Sequence, residues 1–229
     1  MLYVVGTPIG NLEDMTFRAV RILKSVDIIF AEDTRHTKRL LNHYEIDTMV
    51  YSYHMHNREH QILNILNLLG EGKCIALVTD AGMPCISDPG FELVEAVQNA
   101  KIKVESVPGP TAVTTAAAIS GVNLRRFAFE GFLPKKKGRQ TFFTNLKEEK
   151  RPIIFYESPF RVLKSLKDIE KYFGNVHVVI ARELTKLHEE VIKGQVSDLI
   201  VKLEAKPIKG EVVMIVEKEK LEEYVDDES

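Results

Sequence analysis

Residues Cys74–Gly90 read CIALVTDAGMPCISDPG: a short apolar run gives way at Thr79 to twelve residues holding two Gly, two Pro and two Asp. The run has the near-continuous hydrophobicity of a strand buried on both faces, as in a parallel sheet. A strand-to-helix turn usually takes about two to six residues, so twelve are expected to do more than reverse the chain. Glycine allows backbone to approach a ligand closely, and proline stiffens the loop at low entropic cost. A stiff loop with bare amides and carbonyls suits the polar edges of a nucleoside or an amino-acid moiety.

Outward from this stretch, the first half alternates short β-branched runs with amphipathic segments. Strands are expected at Leu2–Val5, Asp27–Ala31, Met49–Ser52, Cys74–Thr79 and Val104–Val107. Helical spacing fits Thr16–Ser25 (with Asp14 or Thr16 as cap), Thr37–Tyr44, Gln61–Leu69, Phe91–Ala100 and Thr111–Ser120. Such alternation predicts an open, mostly parallel α/β sheet. In the second half strands are expected at Phe127–Glu130, Pro152–Tyr156, His177–Arg182, Glu189–Lys193 and Glu211–Glu217, and helices at Phe160–Tyr172 and Ser197–Ala205. Two strands with little between them around Leu187 predict an antiparallel pair and hence a mixed sheet. The fold class is therefore α/β, as two small domains, 1–121 and 122–229, with Gly131–Lys150 as a basic loop broken by Pro134 and Gly138 and the acidic end Asp226–Ser229 frayed.

Net charge is −2, but it is unevenly spread. Within residues 125–151, nine basic side chains face three acidic ones, a local footprint for a polyanion. No apolar run reaches the ~20 residues of a membrane-spanning helix. The start of the chain has no basic segment leading into an apolar one, and the two cysteines, Cys74 and Cys85, are not a CxxC pair. Together these predict a cytoplasmic protein with reduced thiols and no membrane partner.

In an open α/β sheet, ligands sit beyond the carboxyl ends of the strands. Four segments follow strand ends here: Gly6–Asn11 (GTPIGN), Ala31–Arg35 (AEDTR), Thr79–Gly90, and Val107–Ala112 (VPGPTA). The last feeds a helix of small residues, on which something bulky can pack closely. There is no phosphate-binding Walker sequence, and Pro8 spoils a GxGxxG reading of the first loop, which disfavours a nicotinamide-dependent oxidoreductase. His54, His56 and His60 cluster in sequence without the Glu of a zinc-protease helix, and read as surface histidines.

The four loops together resemble the tetrapyrrole (corrin/porphyrin) methylase superfamily, the class III methyltransferases, and within it the branch acting on small-subunit ribosomal RNA. The resemblance runs through Leu2–Leu23 (LYVVGTPIGNLEDMTFRAVRIL), Ala31–Leu41 (AEDTRHTKRLL), Val78–Gly90 (VTDAGMPCISDPG) and Val107–Ile119 (VPGPTAVTTAAAI). It continues in Phe129–Arg139 (FEGFLPKKKGR), Phe155–Val162 (FYESPFRV), Ala181–Glu190 (ARELTKLHEE) and Lys209–Val216 (KGEVVMIV). It implies a homodimer of two-domain chains with S-adenosyl-L-methionine held between the domains. It also implies 2′-O-methylation of a cytidine in the decoding region of 16S ribosomal RNA, free or in the small ribosomal subunit. The cofactor residues it implies are Pro8, Asp80, Ala81, Gly82, Met83, Pro110 and Thr111 from the first domain, and Tyr156, Leu184 and Gly210 from the second.

A ribose hydroxyl is a poor nucleophile, so a positioned carboxylate or lysine should help remove its proton. Asp33, Arg35, Glu157 and Glu183 are the candidate catalytic residues, with Glu32, Arg182 and Lys186 beside them. Lys135, Lys136, Lys137 and Arg139 are expected to bind RNA phosphates. The reaction needs no metal. The alternatives are a methylase of the same superfamily acting on a tetrapyrrole or a protein side chain, and a non-catalytic RNA-binding assembly factor.

Overall fold

The computed structural model describes residues 1–219; the acidic end expected to fray lies outside the described residues. The chain divides into two compact units, Met1–Thr111 and Ala112–Ser229.

The first unit carries β1 (Leu2–Val5), β2 (Ile28–Ala31), β3 (Met49–Ser52), β4 (Ile75–Val78) and β5 (Val104–Val107). All pair in parallel, in the order β3-β2-β4-β1-β5. Between them run α1 (Phe17–Ser25), α2 (Thr34–His43), α3 (Arg58–Gly70) and α4 (Phe91–Asn99). Side chains alternate across a strand, and the core divides accordingly. Ile29, Ala31, Ala76 and Val78 pack with α1 and α2 through Ile22, Leu23, Leu40 and Leu41. Ile28, Phe30, Ile75 and Leu77 pack with α3 and α4 through Ile65, Leu69, Leu93 and Val97. Central β2 and β4 are buried throughout, whereas β3 at the edge exposes Met49 and Tyr51. The cap of α1 is Thr16, whose hydroxyl accepts from the Ala19 amide at 3.0 Å.

The second unit carries β6 (Ala128–Phe132), β7 (Ile153–Glu157), β8 (His177–Arg182), β9 (Glu190–Gln195) and β10 (Val212–Glu217). Their order is β6-β7-β10-β8-β9, with β6 parallel to β7 and the other neighbours antiparallel. The sheet is mixed, and β8 and β9 form the antiparallel pair expected from sequence. The helices are α5 (Ala112–Ser120), α6 (Arg139–Asn145), α7 (Val162–Phe173) and α8 (Val196–Ala205). Phe155, Ile180 and Met214 of the sheet pack with Leu166, Ile169, Leu199 and Leu203 of α7 and α8.

Three expectations change. The small-residue helix α5, assigned from sequence to the first domain, packs on β8 and β10; its alanines serve close helix-on-sheet packing. The segment Gly131–Lys150 is not all loop: α6 starts after Gly138, whose φ of +80° closes the turn before it. Phe160 precedes α7, in a 3₁₀ turn over Pro159–Arg161. Among the described residues no helix is long and apolar enough to cross a membrane.

Candidate functional site

Every strand of the first sheet runs the same way, so the loops after β1, β2, β4 and β5 emerge at one end. They are joined there by backbone. Thr7 and Gly82 exchange amide-to-carbonyl hydrogen bonds of 2.9 and 3.1 Å, and the buried Thr7 hydroxyl donates to the Thr79 carbonyl at 3.1 Å. The Thr7–Gly82 bridge demands φ of +90° at Gly82, where a side chain would be strained. Gly6 and Gly109 lie against each other: a Cβ on Gly6 would sit 2.7 Å from the Gly109 Cα and 2.7 Å from Met83 Sδ. Only two bare backbones fit. Pro8, Asp80–Met83, Pro110 and Thr111 are thereby drawn together through Gly6, Thr7 and Gly109, none of which was among the sequence candidates.

The loop after β2 is tied in by Asp80, whose Oδ1 accepts from the Asp33 amide at 3.0 Å. Asp33 caps α2, accepting from the Arg35 amide at 2.8 Å, and grips the Arg35 guanidinium at 3.1 and 2.7 Å. Arg35 beside it holds the Asp33 carboxyl well below the usual carboxylate range. A carboxylate so stabilised is a poor proton acceptor. The Arg35 side chain is 88% exposed, so its cation faces solvent while its geometry is fixed.

Asp88, absent from the sequence candidates, has the opposite character. Burial pushes its carboxyl up to about 6, the Thr79 hydroxyl opposes that, and the charges of Glu32 and Asp80 add to the rise. The Thr79 hydroxyl also donates to Glu32 at 3.2 Å. Three carboxylates thus crowd the end of β4. The second Asp of Thr79–Gly90 was visible in sequence, but its crowding by Glu32 was not.

At one end of the second sheet lie the carboxyl ends of β6, β7 and β8 and the amino ends of β9 and β10, a consequence of the strand directions. Tyr156, Leu184 and Gly210 all fall there. The Tyr156 ring meets Phe129 and Phe132 edge-on at 5.1 and 5.3 Å. Leu184 is buried between Glu183 and Thr185, which both adopt positive φ, a conformation uncommon for their residue types. A Cβ on Gly210 would overlap the Glu183 carboxylate. Glu183 accepts from the Glu211 amide at 3.0 Å and from Lys186 at 3.0 Å. These contacts, the Glu211 amide foremost, keep its carboxyl below the usual range. Arg182 donates to the Lys209 carbonyl at 2.9 Å and pairs with Glu190 at 3.1 Å.

Glu157 is fully enclosed. Its oxygens accept from the Ser158 amide at 2.7 Å, the Ser165 hydroxyl at 2.6 Å and Arg161 at 2.5 Å, with Arg139 at 3.7 Å. Two hydrogen bonds and two guanidiniums thus hold a carboxylate that is only 2% exposed, so Glu157 serves as a scaffold rather than as a base open to substrate. Arg139 also departs from expectation. It is only 5% exposed, donating to Asp168 at 2.7 Å, Ser165 at 2.8 Å and the Pro134 carbonyl at 3.0 Å. A guanidinium spent inside the unit cannot meet phosphate. Lys135, Lys136 and Lys137 are exposed. Among the described residues no group of three or more His, Cys, Asp or Glu is placed to hold a metal; His54 Nδ1 accepts from the His56 amide at 3.3 Å.

The loop cluster of the first unit suits S-adenosylmethionine in charge. Gly6, Gly82 and Gly109 let the loops after β1, β4 and β5 pack backbone to backbone at this end of the sheet. The crowded Glu32, Asp80 and Asp88 carboxylates complement a ligand carrying an ammonium and a sulfonium.

A family model of the tetrapyrrole (corrin/porphyrin) methylases matches residues 1–200. The chain is 50% identical over 215 residues to the ribosomal RNA small subunit methyltransferase I of Thermotoga maritima, covering 94% of this chain and 97% of that protein. It is 47% identical over 226 residues to the protein of the same name from Escherichia coli O157:H7, covering 97% and 79%. Among solved structures, a cobalt precorrin-4 methyltransferase aligns with a TM-score of 0.71 at 20% identity, covering 94% of this chain and 93% of that one. A diphthine synthase aligns with a TM-score of 0.72 at 11% identity, covering 94% and 88%. At such identities these two likenesses speak for the fold alone. With that fold, these loops and a family match over most of its length, the chain belongs to the tetrapyrrole (corrin/porphyrin) methylase family.

Proposed function

We propose that this chain transfers a methyl group from S-adenosylmethionine to the 2′-oxygen of a cytidine ribose in the decoding region of small-subunit ribosomal RNA. The observation that carries the reading is the 50% identity, over nearly the whole of both chains, to a protein named for methylation of that RNA. The exposed lysine run Lys135–Lys137 supports a polyanionic substrate.

The cofactor supplies a methyl group on a positively charged sulfur, which departs as a neutral thioether. The proton of the 2′-hydroxyl would pass to water, since Asp33 and Glu157 are both held in ion pairs. Residues that position the ribose oxygen against the bound donor would supply roughly 7–11 kcal/mol of barrier reduction. Residues Pro8, Asp80–Met83, Pro110 and Thr111 of the first unit would hold the methionine and ribose parts. Asp33, a weak base, locks Arg35, and Arg35 holds an RNA phosphate near the reacting ribose. The active form is a homodimer in the cytoplasm.

Mass spectrometry of small-subunit RNA from cells lacking the protein tests the assignment. A decoding-region cytidine should lose its ribose methyl group and regain it when the gene is restored. An unchanged cytidine refutes the substrate.

A further inference from the structure

We infer that Phe160 is a stacking platform for an unpaired RNA base, mounted beside the phosphate-binding lysines Lys135–Lys137 by a buried ion network centred on Glu157. The inference rests on the reading that the substrate is RNA, and adds a residue that contacts it.

Phe160 is 94% exposed. Local geometry explains how the ring is held out. Pro159 opens a 3₁₀ turn, which the Arg161 amide closes on the Ser158 carbonyl at 2.8 Å. The next side chain, Arg161, is drawn inward to Glu157 at 2.5 Å. With the next two side chains, Arg161 and buried Val162, turned inward, the Phe160 ring is left in solvent.

The same network grips the loop that carries the lysines. Arg161 donates to the Leu133 carbonyl at 3.3 Å, and Arg139 to the Pro134 carbonyl at 3.0 Å. Both guanidiniums answer to Glu157. Lys135 follows Leu133 by two residues, at most about 7 Å of extended chain. Lys135, Lys136 and Lys137 are therefore exposed cations on a loop anchored to the same network as the exposed ring. Phe132, also exposed, directly precedes Leu133.

An aromatic face with adjacent cations is the chemistry of single-stranded nucleic-acid sites: the ring stacks a base while the ammonium groups take phosphates. A protein partner is the poorer match, since lysines are depleted from protein–protein contact cores. A duplex is poorer still, because its bases are already stacked.

The test uses the full chain and single-stranded RNA oligonucleotides of decoding-region sequence, with 2-aminopurine at successive positions, and the same sequence as a duplex. Phe160→Ala should weaken single-strand binding about 5- to 150-fold. It should abolish the fluorescence quenching at one position and leave duplex binding, cofactor affinity and melting temperature unchanged. Phe160→Trp should restore both binding and quenching. Parent-like RNA binding by Phe160→Ala, alongside lost binding when Lys135, Lys136 and Lys137 are all replaced by Ala, overturns the stacking role and leaves the RNA reading standing. Loss of RNA binding by Phe160→Ala that follows only from loss of a dimer, seen by sedimentation, also overturns it. A parent chain that neither binds these oligonucleotides nor methylates small subunits removes the RNA reading itself.

Discussion

Asp88 shows how a single residue can tie cofactor affinity to pH. Its proton affinity in the folded chain, about 6, exceeds the ordinary carboxylate value near 4. The folded state therefore binds this proton more tightly than the unfolded state. Its contribution to stability is full below about pH 4 and is lost as pH rises through about 6. A cationic ligand nearby favours the ionised form, so the affinity for S-adenosylmethionine should rise between pH 5 and 7. Calorimetry should show the rise for the parent chain and a flat profile for Asp88→Asn. S-adenosylhomocysteine, without the positive sulfur, should depend less on pH. Equal slopes for both ligands and both chains would separate Asp88 from the cofactor. A second residue-scale outcome concerns Gly109, where an added Cβ would sit 2.9 Å from the Gly6 Cα. Backbone there has nowhere to go, so Gly109→Ala should cost about 1–3 kcal/mol in urea unfolding and weaken cofactor binding as well.

Among the elements, the turn and helix that follow β6 depend on charges buried far from solvent. Arg139 starts α6 and is held by Asp168, Ser165 and Glu157. Removing the central charge leaves Arg161 without its counter-ion and Arg139 with Asp168 alone, and breaking a buried pair this way typically costs about 3–5 kcal/mol. Glu157→Gln should lose stability on that scale in denaturant titrations. By contrast Glu183→Gln, whose partners are closer to water, should lose less. Loss of activity in Glu157→Gln without loss of stability would instead restore Glu157 as a chemical participant. Sequence reasoning took the KKKGR run as one basic patch. Nothing local distinguishes Arg139 from the lysines, since its partners Glu157, Ser165 and Asp168 lie 18 to 29 positions away. The helix itself was hidden because Pro134 and Gly138 mark the turn before it, and the seven residues that follow are too few for a clear period.

Over the whole molecule, a net charge of −2 conceals a basic segment and an acidic ligand cluster. Each polyanion contact to a single strand contributes about 0.7 to the log–log slope of affinity against salt. Replacing Lys135, Lys136 and Lys137 together should shallow that slope by about 2, weaken RNA binding and leave cofactor affinity intact. Equal losses of both would mark the run as structural. The strand pattern and the fold class were legible from sequence because parallel strands buried on both faces are apolar throughout, as β2 and β4 are, and helices show their period. The four loops that gather at one end of the first sheet were legible because Gly and Pro report backbone demands directly. What required tertiary structure was every role set by a distant neighbour: Asp33 disarmed as a base by its bond to Arg35, Arg139 withdrawn into the interior, Gly6 pressed on Gly109, and α5 placed on the second sheet. Hydrophobic period and turn chemistry are properties of neighbouring residues and can be read along the chain. Proton affinity, exposure and pairing depend on groups that only folding brings together.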